Sequence, residues 1–156
     1  MLGKFKQLLE AQAITTVFQP VVDIRNNEIL GYEALSRGPD NSEFASSDVL
    51  FQKATDYNLL SQLEILCRDK AIKRFAQLNL QGKLFLNVSP MVLLEKLHPQ
   101  GETIKLVQNS GLICQQIVIE ISEKYPLPCG VLLRSAIEKY RQFGFQVAID
   151  DLGAGY

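Results

Sequence analysis

Phe5, Leu8 and Leu9 are spaced three and four apart, and this spacing predicts a short amphipathic helix over residues 3–12. The period then changes. Thr16 to Ile24 is rich in β-branched and aromatic residues and reads as a strand, in which Pro20, lacking a ladder donor, must sit at an edge, an end or a bulge. Asn26 and Asn27 make a turn, and Glu28 to Ser36 reads as the returning arm of a β-hairpin. Arg37 to Ser42 is a loop by composition, and Ser46, Ser47 or Asp48 can cap a helix that begins near Val49. Ser61 and Glu64 match the capping box of a second helix, whose face runs through Leu63, Leu66, Cys67, Lys70, Ala71, Arg74, Phe75 and Leu78.

Beyond Gly82 the chain settles into a cadence. Lys83 to Val88 is a short strand with almost no polar alternation, which predicts cover on both faces, and Pro90 ends it. A helix near 101–110, a stop at Gly111 and a strand over 117–121 follow, then a helix near 130–142, a stop at Gly144 and a strand over 145–150. Apolar strands recurring about every 30 residues mark βαβ units, which build a parallel barrel or a doubly wound sheet. No glycine-rich phosphate loop follows an early strand, and polar residues stand at the strand ends, so the barrel is favoured. A complete barrel of this kind takes about 250 residues and eight strands. The 156 residues hold about five, so the expected fold is α/β, an incomplete TIM-like (β/α) barrel with an N-terminal β-hairpin.

Composition narrows the function. Sixteen basic and seventeen acidic residues leave a net charge of −1, which argues against a nucleic-acid coat or a polybasic membrane surface; neither DNA nor RNA is an expected partner. No apolar run approaches the roughly 20 residues that span a bilayer, so no membrane contact is expected of this segment and the expected location is the cytoplasm. Cys67, Cys114 and Cys129 lack metal-ligand spacing and His98 is the single histidine, so a thiolate metal site is not expected.

The strand ends carry the chemistry. Glu33, Asn87, Glu120 and Asp150 each place one polar group near the end of a strand, with Asp151 directly after the last. Taken singly each has an ordinary explanation: a salt-bridged or solvent-facing glutamate, a turn-forming asparagine, an aspartate capping a helix. Four in one cadence point elsewhere, because successive strands of a βα barrel bring their C-terminal ends to one rim. Carboxylates gathered there repel unless cations sit between them, and an all-oxygen set favours Mg2+, Mn2+ or Ca2+ over Zn2+. Two ions about 3.5–4 Å apart would orient and activate a water and hold phosphodiester oxygens. Arg37, with its rigid fork, is a candidate phosphate clamp.

These residues resemble the EAL domain family of bacterial cyclic di-GMP phosphodiesterases. Glu33-Ala34-Leu35, within Gly31 to Arg37, matches the signature triplet, and Phe18 to Asp23 matches the family's first strand. Phe85 to Ser89 resembles the asparagine motif, Ile119 to Glu123 the second glutamate motif with Ser122 in place of threonine, and Asp150 to Tyr156 the paired-aspartate motif with Leu152 in place of phenylalanine. The resemblance implies an EAL-type barrel in which one strand runs antiparallel. It further implies Glu33, Asn87, Glu120 and Asp150 on a first Mg2+ or Mn2+, and Asp150 with Asp151 on a second. Glu33, Asp150 and Asp151 would be catalytic, Gln19, Leu35 and Arg37 would touch the nucleotide, and the product would be linear pGpG. The family's later lysine, glutamate and glutamine have no counterpart, so residues 1–156 are expected to be the N-terminal part of the domain and inactive alone, with an open sheet edge that invites self-association. A non-catalytic cyclic di-GMP receptor or protein-interaction domain of the same fold is the alternative.

Overall fold

A computed structural model describes residues 1–94, 100–122 and 130–150. The helical period at the N-terminus becomes α1 (Leu2–Glu10), which buries Phe5 and Leu8. The β-branched run becomes β1 (Thr15–Asp23) and its return becomes β2 (Glu28–Arg37), paired antiparallel. The turn between them is held by Asp23, whose carboxylate accepts from the Arg25 amide at 2.9 Å and the Asn26 side chain at 3.2 Å. Pro20 lies opposite Tyr32, one residue before a register shift between Val21 and Val22. It is tolerated because β1 has only β2 as a strand neighbour among the described residues.

Helices α2 (Ser47–Asp56) and α3 (Leu60–Gln77) lead to β3 (Lys83–Val88). Short α4 (Pro90–Leu94) and α5 (Gln100–Asn109) precede β4 (Ile117–Ser122), and α6 (Gly130–Gln142) precedes β5 (Gln146–Asp150). The five strands form one sheet in chain order, parallel from β2 onward. A β-hairpin followed by parallel βα units is the architecture expected of an incomplete EAL-type barrel.

One face of the sheet is covered. Leu84, Leu86 and Val88 of β3 and Ile117, Ile119 and Ile121 of β4 pack with Ala71, Ile72 and Phe75 of α3, Val107 of α5 and Tyr140 of α6. Phe75 also meets Phe18 and Tyr32 edge-on, at 5.9 and 6.5 Å between ring centres, and so joins the hairpin to the parallel part. A second apolar cluster lies between α1, α2 and α3, where Phe5 meets Phe44 and Tyr57. Gly31, at the start of the β2–β3 pairing, is required by space alone: a Cβ there would overlap the Lys83 carbonyl oxygen.

Several local expectations are corrected. Among the described residues β3 is covered on one face: Leu84, Leu86 and Val88 are buried, while Phe85 is half-buried and Asn87 exposed on the other side. Ser61 does not cap α3, which begins after Leu59 without a side-chain cap, and Glu64 is buried and bonded elsewhere. The inward face of α3 is rotated from the expected one, taking in Glu64, Arg68 and Ile72, whereas Arg74 and Leu78 are exposed and Lys70 half-buried. Pro90 begins α4 as well as ending β3, its missing amide harmless at a first helical position. Arg37 belongs to β2, because pairing with Thr15 carries the strand past the expected loop start. Ser46 caps α2, its hydroxyl accepting from the Val49 amide at 3.3 Å.

Candidate active site

Strand alternation sorts the polar residues by face. In β2, Gly31, Glu33, Leu35 and Arg37 share one face, and Tyr32, Ala34 and Ser36 share the other, where Tyr32 and Ala34 pack against the core. Cross-strand partners share a face, so Gln19 opposite Glu33, Val17 opposite Leu35 and Thr15 opposite Arg37 join the first set. The same parity in the parallel strands adds Phe85 and Asn87 of β3 and Val118 and Glu120 of β4, with Asn87 and Glu120 directly paired. This is the face left without a helical layer among the described residues, and it holds every expected site residue on β1 to β4.

Glu33 and Asn87 are in contact. The Asn87 side-chain amide donates to the Glu33 carboxylate at 2.7 Å across 54 positions of sequence. Register explains how: Glu33 is level with Phe85, two residues before Asn87 on the same face, and its longer side chain spans that offset. Glu33 lies four residues short of the end of β2, yet one residue short of the end of the part paired with β3, since the last stretch of β2 is held by β1. It therefore stands at the rim of the parallel sheet even though it is mid-strand.

Glu120 is half-buried at the register position beside Asn87. Asp150 is the last residue of β5 and pairs with Ser122. Asp151 lies outside the described residues, as do His98 and Cys129. Among the described residues no group of three or more His, Cys, Asp and Glu side chains is assembled in metal-binding geometry. The Arg37 guanidinium donates through Nη1 to its neighbour's carbonyl, Ser36 O, at 2.9 Å.

A cleft of about 670 Å3 opens beside this rim, lined by Glu33, Leu35 and Asn87 on the sheet and by Ser47, Phe51 and Gln52 on α2. Gln19, Arg37 and Glu120 are not part of its lining. The α2 wall is the portion that sequence reasoning missed; a helix read only for its cap and apolar face gives no sign of which polar side chains meet the strands. Cys67 also lines the cleft but is chemically quiet. Burial pushes its thiol up to about 12, against a smaller lowering by the Ser36 hydroxyl.

Comparison with known proteins agrees with this geometry. The EAL domain model matches residues 3–156. A probable cyclic di-GMP phosphodiesterase of Escherichia coli K12, PdeA, is 28% identical over 160 residues, covering 100% of this chain and 21% of its own length. A standalone EAL protein of Vibrio cholerae O395, solved with cyclic di-GMP bound, is 32% identical with a TM-score of 0.80, over 92% of this chain and 59% of that one. Klebsiella pneumoniae BlrP1, solved with calcium and cyclic di-GMP, is 26% identical with a TM-score of 0.79, over 94% of this chain and 36% of that one. The chain thus spans about a fifth of the curated relative and between a third and three-fifths of these two solved chains. With the hairpin, the parallel strands and the Glu33–Asn87 pair all in place, the chain belongs to the EAL domain family.

Proposed function

We propose that this chain forms the nucleotide- and metal-binding rim of a phosphodiesterase that opens cyclic di-GMP to linear pGpG. The observation that carries the reading is the Glu33–Asn87 hydrogen bond, which joins the signature glutamate to the asparagine motif at one rim of the sheet. In this reading Glu33, Asn87, Glu120 and Asp150 hold a first Mg2+ or Mn2+, and Asp150 with Asp151 holds a second. The donor set fits such ions: it is oxygen only, and Asn87, whose Nδ2 is committed to Glu33, keeps Oδ1 as an acceptor. When bound, the ions supply charge neutralisation at the phosphate and an acidified water.

The chain's own residues orient the nucleotide. Gln19 and Leu35 flank Glu33 on the same face and give a polar and an apolar contact on either side of it. The Arg37 fork takes two phosphate oxygens once it leaves the Ser36 carbonyl. The reading takes residues 1–156 as the N-terminal part of an EAL domain, consistent with the share of each relative the chain spans. Turnover then belongs to the closed barrel. β1 and β5 each have one strand neighbour among the described residues, so a second chain can pair there.

A receptor that binds cyclic di-GMP without hydrolysing it is the second reading. It rests on the nucleotide-facing set alone, since Gln19 and Leu35 share the Glu33 face independently of any ion.

The deciding experiment follows linear product by chromatography at saturating Mg2+ or Mn2+, in a protein that contains these residues. Glu33→Ala is expected to lower turnover about 100-fold or more, and turnover within about threefold of the parent refutes the role of this residue. Tight binding of the nucleotide with no product from the parent decides for the receptor.

A further inference from the structure

A buried carboxylate stands behind the rim. Glu64, in the second turn of α3, is 3% exposed, although burial of a charge is costly without compensation. Both of its oxygens face the Ser89 amide, at 3.1 and 3.4 Å, across 25 positions of sequence. Arg68 lies one turn further along the same helix, also 3% exposed, and reaches the fully buried Tyr140 hydroxyl of α6 with a long 3.5 Å contact. Glu64 therefore belongs to a polar seam that ties α3 to the end of β3 and to α6.

Ser89 is where β3 stops. The β3–β4 ladder ends at Val88 opposite Ile121, and α4 starts at Pro90, so the Ser89 amide is the first one past the described ladder. It is buried, and without an acceptor it would be an unsatisfied donor. Glu64 supplies that acceptor, while the Ser89 hydroxyl accepts from the Val92 amide at 3.3 Å and starts the next helix. Val88, 2% exposed and packed in the core, is the one residue between this clamp and Asn87.

We propose that Glu64 is a positioning residue: by clamping the Ser89 amide it fixes the last residues of β3 and so holds Asn87 where its side chain meets Glu33. The inference rests on the reading of Glu33 and Asn87 as ligands for its functional meaning, and on geometry alone for the coupling. A plain packing role would make Glu64 interchangeable with any residue that keeps α3 in place. A clamp instead requires an acceptor at this reach.

The Asn87 side-chain amide signals in a nitrogen–proton NMR spectrum report the coupling without any metal. Glu64→Asp keeps the charge beside Arg68 but withdraws the carboxylate by one methylene, and should shift Asn87 toward a free amide. Glu64→Gln keeps both reach and an oxygen acceptor, and should restore the parent signals. Leu63→Ala removes a fully buried neighbour on α3 without touching Ser89, and should leave Asn87 in place. An unmoved Asn87 in Glu64→Asp, or an equal shift in Leu63→Ala, overturns the proposal. A parallel Mn2+ titration tests the site itself: the parent Asn87 signal should broaden, and Glu64→Asp should weaken Mn2+ affinity about tenfold. Absence of broadening in the parent refutes the metal reading while leaving the clamp to be judged by the metal-free spectra.

Discussion

Replacing Gly31, which is buried, by alanine should be far more damaging than its backbone conformation suggests. Its backbone is not in the left-handed region, so any residue adopts the angles and the whole effect must come from space. The added Cβ would overlap the Lys83 carbonyl oxygen, well inside the 3.0 Å that real Cβ atoms respect, with further backbone atoms of Lys83 behind it. The obstacle is main chain, so no side chain can swing away. Relief requires β2 to part from β3 by on the order of 1 Å, a backbone shift of the kind that costs about 1–3 kcal/mol in an overpacked interior.

The pairing itself adds to that cost. β2 meets β3 through four register pairs, Gly31–Lys83 to Ala34–Leu86, and the clash falls on the first. Ladder bonds weakened there are worth about 1 kcal/mol each, while the reduced freedom of the unfolded chain returns about 0.5–1 kcal/mol. The net expectation is a loss of about 3 kcal/mol, a large part of the roughly 5–15 kcal/mol that holds a domain together. Gly3→Ala is the matched control: Gly3 lies in α1 with nothing within 4 Å of its Cβ position, and should stabilise by up to about 1 kcal/mol. Urea unfolding followed by circular dichroism reads both, with unchanged slope confirming that stability alone has moved. Gly31→Ala within about 1 kcal/mol of the parent refutes the steric argument, because no compensating contact is available on that scale.

Two further expectations follow from single groups. Arg37→Lys should weaken cyclic di-GMP binding about tenfold while leaving Mg2+ or Mn2+ affinity unchanged, since an ammonium cannot reproduce a two-pronged contact; calorimetric titration of metal and then nucleotide separates the two, and a loss of metal affinity alone refutes the clamp. The buried Cys67 thiol is pushed up to about 12 from an ordinary 9.0, and the Tyr140 hydroxyl to about 12 from 10.0, burial being the main cause in both. Each group holds its proton more tightly folded than unfolded. Their contribution is therefore complete below about pH 9 and is lost as pH rises toward about 12. Denaturant midpoints measured from pH 8 to 10.5 should fall, with a shallower fall in Cys67→Ala, and a flat profile refutes the assignment.

The residues legible in the sequence are those whose meaning follows from position along a strand. Alternation alone puts Glu33 on one face and Ala34 on the other, and the recurrence of strands brings Asn87 and Glu120 to neighbouring register positions. The hairpin was legible for the same reason, since Pro20 and the paired asparagines constrain backbone locally. What stayed hidden depends on partners far along the chain. Arg37 reads as the start of a loop until Thr15 is seen to pair with it, because a strand's length is set by its neighbour as well as by its own residues. β3 reads as covered on both faces because Phe85 is apolar, yet its cover depends on what stands opposite, which no local pattern records.

Glu64 shows the limit most sharply. Three residues after Ser61 it matches a helix start by spacing, and that local match competes with a distant one to the Ser89 amide. The distant partner wins for a physical reason. An exposed capping bond contributes about 1 kcal/mol, whereas leaving the buried Ser89 amide without an acceptor costs about 1–3 kcal/mol, and a charged acceptor strengthens the bond that replaces it. The helix start then does without a side-chain cap, which it can, since solvent can satisfy amides there but not at Ser89. The Glu64–Arg68 pair, one turn apart inside an otherwise apolar helical face, is the one trace of this choice in the sequence. Here it marks the place where the scaffold takes hold of the strand that carries Asn87.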